Sequence, residues 1–127
     1  MSRSIDTGTD HLHAEVGDDG VAVFTMNRPE RRNAMSGEMN SALAAVLAEA
    51  ETARDIRCVV LTGAGGAFCA GGDVKGFAEG SARNDSGGYD EALHSQRLSQ
   101  RATSGALWRM PKPTLAVLGG PAAGAGM

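Results

Sequence analysis

The sequence predicts an α/β fold in which a β-hairpin leads through a helix into buried parallel strands, and three observations carry that reading. Leu12-His-Ala-Glu-Val16 alternates apolar and polar residues, the turn residues Gly17-Asp-Asp-Gly20 follow, and Val21-Ala-Val-Phe-Thr-Met26 continues as a second strand. Met39, Leu43, Val46, Leu47 and Ala50 recur at helical spacing. Cys58-Val-Val-Leu-Thr62 and Thr114-Leu-Ala-Val-Leu118 are continuous apolar runs, the pattern of strands buried on both faces of a parallel sheet.

Taken in order, residues 1–11 read as a polar N-terminal tail and 12–127 as one folded portion. His11 and His13 sit at the first strand with no third ligand spaced near them, so they read as surface residues. Asn27-Arg-Pro-Glu-Arg-Arg-Asn33 is a polar loop in which Arg28 before Pro29 shapes the chain. Ser36 is a good N-cap for a helix over about 37–53, and Asp55-Ile-Arg57 links it to the strand at 58. Gly63-Ala-Gly-Gly-Ala-Phe-Cys-Ala-Gly-Gly-Asp73 is too small-sided to form a core and too apolar for a solvated linker, with Phe68 reading as a core residue. Glu79 to Tyr89 is polar and reads as a mobile loop, and 90–109 as helix. Pro111-Lys-Pro113 breaks that helix before the strand at 114, which opens into Gly119-Gly-Pro-Ala-Ala-Gly-Ala-Gly126.

Composition excludes several classes of function. With 42% apolar and 21% charged residues and a net charge of −3 spread without runs, nothing favours nucleic acid. No segment has the length or apolarity of an anchor or export signal. Cys58 and Cys69 are too few for a disulfide framework and suit a reducing, cytoplasmic setting. Paired Cys/His spacing for zinc, a P-loop, a full dinucleotide fingerprint and a hydrolase elbow are all missing, so no metal site is expected.

The two strand ends that open into Gly/Ala stretches suggest one kind of chemistry. Backbone amides without side-chain cover, converging from two loops, can bind an oxygen that gains negative charge, as in an oxyanion hole.

Three segments, in this order, carry a family resemblance: Met26-Asn-Arg-Pro-Glu-Arg-Arg-Asn-Ala34, Val59-Val-Leu-Thr-Gly-Ala-Gly-Gly-Ala-Phe-Cys-Ala-Gly-Gly-Asp-Val-Lys75 and Pro111-Lys-Pro-Thr-Leu-Ala-Val-Leu-Gly-Gly-Pro-Ala-Ala-Gly-Ala-Gly126. Over about residues 12–127 the chain resembles the N-terminal half of the crotonase (enoyl-CoA hydratase/isomerase) family. The resemblance implies the crotonase spiral of strand-strand-helix turns, truncated to about its first half. It implies a coenzyme A thioester as substrate, no tightly bound cofactor, and an acyl-CoA enzyme of fatty acid metabolism. The two oxyanion-hole donors would be the amides of Gly72 and Ala125, and the CoA contacts would be Arg31, Arg32, Ala34, Ala70, Asp73, Val74 and Lys75. Hydration of a 2-enoyl-CoA is the leading reaction, with double-bond isomerisation or a non-catalytic acyl-CoA-binding paralogue as alternatives. The full-length protein is expected to assemble as a trimer or hexamer. One departure is that Gly119-Gly120 stands where the family usually has Asn-Gly. The family's acid/base glutamates would fall beyond Met127, so these residues are expected to be a fragment that is inactive alone.

Overall fold

The computed structural model describes residues 2–72 and 89–127. Its centre is a five-stranded mixed sheet whose spatial order follows the chain: β1 (Arg3–Ile5), β2 (Leu12–Val16), β3 (Val21–Met26), β4 (Cys58–Gly63) and β5 (Thr114–Val117). The first three strands pair antiparallel, with Ala14 opposite Phe24, and β3–β4 and β4–β5 are parallel, with Phe24 beside Leu61 and Leu61 beside Ala116. Gly20 turns the hairpin at φ +84°, a value that side-chain-bearing residues rarely adopt.

Alternation along the strands decides which face is dry. Leu12, Ala14 and Val16 of β2 and Ala22, Phe24 and Met26 of β3 are all buried on one side. The helix α1 (Gly37–Thr52) lies over them and buries Met39, Leu43, Val46, Leu47 and Ala50, the five residues that predicted it. Ser36 caps its start by accepting the Met39 N–H at 3.1 Å, and His11 Nδ1 lies 2.7 Å from the same hydroxyl. At the other end no glycine closes the helix. Lys112 reaches back instead and donates to the carbonyls of Ala50 and Ala53, both at 2.6 Å, placing a cation where α1 leaves acceptors unpaired. The Pro111-Lys-Pro113 break therefore also ties the approach to β5 onto α1.

Three features differ from the sequence reading. The stretch read as a polar tail contains β1, whose Ile5 packs on the core. Arg3 binds Asp55 and Glu49 from that strand and holds the Asp55 carboxyl below the usual carboxylate range through their hydrogen bond. Exposed pairs of this sort add little stability, and the antiparallel ladder to β2 is what fixes where β1 lies.

The helix expected over 90–109 is two pieces, α2 (Tyr89–Ala102) and α3 (Ser104–Arg109). Thr103 stands at the joint, buried, with its N–H and hydroxyl both turned back to the Ser99 carbonyl at 3.2 and 2.9 Å. A threonine that bonds backward in this way competes with the helix ladder.

The strands expected to be buried on both faces are not. In β4 only Val59 is fully buried, and all of β5 is exposed, with Leu115 at 58% and Val117 at 52%. α1 lies over β2 and β3, so that even on its own face of the sheet Thr114 and Ala116 of β5 stay exposed. Val60, Leu115 and Val117 share the opposite face, where no described element buries them.

Candidate functional site

The site is built from three connections that end close together: the loop after β3, the turn after β4 and the turn after β5. In the first, Pro29–Arg31 form a single 3-10 turn, and Arg32 and Asn33 then take left-handed backbone angles, φ 51° and 57°. Arg28 is buried and donates from Nη1 to the Ala34 carbonyl at 2.7 Å, in keeping with a shaping role. Asn33 is fully buried. Its Oδ1 accepts the Arg28 N–H at 2.8 Å, and its Nδ2 donates to the carbonyls of Ala64 and Ala67, each at 2.9 Å.

The turn after β4 lies directly against both of its neighbours. Ala70 N–H donates to the Arg32 carbonyl at 2.9 Å, and Met35 N–H to the Gly71 carbonyl at 2.8 Å. On its other side, Phe68 and Cys69 donate to the Pro121 carbonyl at 3.0 and 3.3 Å, while Ala123 donates to Cys69 at 3.0 Å. The two Gly/Ala stretches thus run backbone to backbone, and their composition follows from that. A Cβ on Gly120 would overlap the Gly66 carbonyl oxygen and sit 2.8 Å from its carbon, whereas one on Gly119 would meet nothing within 4 Å. Position 119, where the sequence departs from the Asn-Gly pattern, is the roomy one of the pair.

Gly71, at φ +104°, faces the third connection so closely that a Cβ there would stand 3.5 Å from the Ala125 nitrogen. Several amides around this junction are used: Gly71 N–H points at the Cys69 sulfur at 3.4 Å, Gly126 donates to Ala123 at 2.8 Å and Met127 to Gly124 at 3.1 Å. Among the described residues the Gly72 and Ala125 N–H groups have no such partner, and the same holds for those of Ala122 and Gly124. Beside Ala125 opens a groove of about 390 Å³, lined on its apolar side by Met26, Leu61, Phe68, Leu107 and Trp108. Phe68 belongs to the core and to this lining at once. Cys69 also lines it, and burial pushes its thiol up from the ordinary value.

The residues singled out from sequence divide into three groups. Gly71, the neighbour of Gly72, faces Ala125, and Ala70 is joined to Arg32. Arg31 and Arg32 are exposed on the loop, with Ala34 half-buried behind them. Asp73, Val74 and Lys75 lie outside the described residues, as do residues 79–88 of the loop expected to be mobile. Asn33 was missed as a site residue. Its only sequence signal was an asparagine closing a polar loop, a type that tolerates left-handed backbone.

Among the described residues no cluster of His, Cys, Asp and Glu could hold a metal, and no helix is long and apolar enough to cross a membrane.

Residues 17–127 match the model of the enoyl-CoA hydratase/isomerase family. A 1,2-epoxyphenylacetyl-CoA isomerase of Escherichia coli is 38% identical over 84% of this chain and 39% of its own length. An enoyl-CoA hydratase of Mycobacterium tuberculosis is 36% identical over 97% of this chain and 44% of its own length. Among solved structures, an enoyl-CoA hydratase/isomerase from Xanthobacter autotrophicus superposes with a TM-score of 0.78 at 35% identity, over 91% of this chain and 41% of that one. The chain spans well under half the length of the relatives it matches.

Proposed function

This chain belongs to the enoyl-CoA hydratase/isomerase family, and from that premise we propose that it supplies the thioester-activating part of an enzyme that adds water across a 2-enoyl-CoA. The single observation that carries the reading is that the two small-residue turns interlock, Gly71 facing the Ala125 nitrogen at the edge of an apolar groove, with the Gly72 and Ala125 amides unpartnered among the described residues.

The chemistry follows from where charge develops. When hydroxide adds to the β-carbon of the enoyl thioester, its electron pair moves through the double bond onto the thioester oxygen, giving an enolate. Two N–H donors aimed at that oxygen stabilise the anion more than the neutral carbonyl, an effect worth about 3 to 4 kcal/mol per donor in comparable holes. Protonation of the α-carbon then restores the thioester. None of the described groove-lining residues is a carboxylate, and the role we assign to this part of the chain is to bind and polarise the thioester. The acyl chain occupies the groove. Arg31, Arg32 and Lys75 suit the CoA phosphates through charge-assisted hydrogen bonds, and the same reading assigns Ala34, Ala70, Asp73 and Val74 to CoA contacts.

Isomerisation is the second reading, favoured by the likeness to an isomerase at 38% identity. The same pair of donors serves it, because shifting the double bond also passes through a thioester enolate.

The deciding experiment is a structure of the intact protein with a non-reactive acyl-CoA analogue. The thioester oxygen is expected within hydrogen-bond reach of both Gly72 N and Ala125 N. An oxygen bound elsewhere overturns the assignment. At the CoA end, replacing Arg31, Arg32 and Lys75 together by alanine is expected to weaken binding strongly at low salt and less at high salt. Titration of CoA by calorimetry at two ionic strengths checks this, and equal affinity to wild type at low salt removes the three residues from the site.

A further inference from the structure

We propose that Asn33 is a positioning residue that locks the phosphate-facing loop 28–35 onto the thioester turn 63–72, so that the two ends of one CoA thioester are held in register. The proposal rests on the function proposed above and concerns a residue outside both sets of contacts. Asn33 has 0% exposure, and its side-chain amide is fully committed: Oδ1 accepts from Arg28 N at 2.8 Å within its own loop, while both Nδ2 hydrogens go across to the turn, on Ala64 O and Ala67 O at 2.9 Å. Both amide groups thus act as a bridge, one end on each connection.

The surroundings are built tightly around this bridge. A Cβ on Gly63 would stand 2.7 Å from Asn33 Nδ2, and the left-handed angles of Arg32 and Asn33 are the kind of backbone strain that persists only where neighbours enforce it. Two main-chain bonds flank the bridge, Ala70 N to Arg32 O and Met35 N to Gly71 O. Through them the loop that presents Arg31 and Arg32 and the turn that ends at Gly72 form one body. Without the Asn33 amide, the loop and the turn would keep these two main-chain bonds and lose both side-chain ones.

The test compares the intact wild-type protein with N33G, which accepts the left-handed backbone and deletes the bridge, and N33S, which keeps a short polar side chain. Both are made, so that either one can decide if the other fails to fold, and all assays run at a temperature where circular dichroism shows the folded state. Two ligands are titrated: the nucleotide half of CoA (adenosine bisphosphate) and a non-reactive thioether analogue of a short enoyl-CoA. Turnover of the enoyl-CoA is measured alongside. The nucleotide half is expected to bind within about twofold of wild type, the whole analogue about tenfold weaker or worse, and kcat to fall at least as far, because what is lost is the registration of two sub-sites. An unchanged kcat and analogue affinity would show that Asn33 only supports the fold. Equal weakening of both ligands would show a collapsed loop rather than lost coupling. A wild-type protein that binds neither ligand would instead overturn the site assignment itself, and that is visible before any variant is made.

Discussion

Replacing Gly120 by alanine should remove about 99% of the turnover of the intact protein, while the same change at Gly119 leaves it close to wild type. The contrast isolates one cause, because the two residues are neighbours of equal size. At Gly120 the new methyl would overlap the Gly66 carbonyl oxygen and stand 2.8 Å from Gly66 C and 3.0 Å from Ala67 Cα, all backbone atoms that cannot rotate aside. At Gly119 it would meet nothing within 4 Å. The turn carrying Ala125 must therefore move away from the turn carrying Gly72, and a displacement of about 1 Å in a reacting geometry costs about a hundredfold in rate. Steady-state kinetics on a short enoyl-CoA check it. Full activity in the Gly120 variant would mean that the spacing of the two turns does not govern the reaction.

Gly63→Ala is expected to have the largest effect on stability. Its Cβ would sit 2.6 Å from the Ala67 carbonyl oxygen and 2.7 Å from Asn33 Nδ2, and would overlap the Phe68 carbonyl oxygen as well. Overpacking alone costs about 1 to 3 kcal/mol, and pushing Asn33 off its buried acceptors adds a similar amount for each polar group left unsatisfied. Against a total stability of about 5 to 15 kcal/mol, a loss of about 3 kcal/mol or more lowers the melting temperature by many degrees. Calorimetric melting of the variant beside Gly66→Ala, whose added methyl meets nothing within 4 Å, measures it. Equal melting temperatures would show that the 63–68 turn yields more easily than its contacts suggest.

What could be read from the residues was whatever depends on near neighbours in sequence. The β2–β3 hairpin and α1 were legible because alternation and helical spacing report a single buried face, and that face is the one α1 and the sheet share. The strand β1 was not, because three residues carry no periodicity and its place is set by pairing with β2 and by Ile5 packing on the core. The exposure of β5 was equally hidden. Thr114-Leu-Ala-Val-Leu118 has the composition of a doubly covered strand, and only the three-dimensional arrangement shows which neighbours it has. At the candidate site, small side chains announced close backbone approach, and the contacts of Gly120 and Gly126 account for that composition. Sequence could not announce Asn33, since a buried bridging amide and a solvated loop asparagine are the same letter. The Gly/Ala content likewise could not say which glycines are obligatory: Gly119 and Gly120 look alike and differ completely in the space around them.

The two parallel crossovers of the sheet differ in span, from Met26 to Cys58 and from Gly63 to Thr114, yet the entropy of closing them differs by only about 0.4 kcal/mol, since closure grows with the logarithm of length. Doubling the second would add about 0.6 kcal/mol. β4 and β5 are joined by a direct ladder from Val59–Thr114 to Thr62–Val117, and Lys112 fastens the approach to β5 on α1, so neither the register nor the anchoring of that strand depends on how much chain intervenes. Between the turn that ends at Gly72 and the start of β5 at Thr114, a change in chain length therefore costs little closure entropy. Length can drift there, and with it the shape of one wall of the groove, while the glycine turns on either side stay fixed in size.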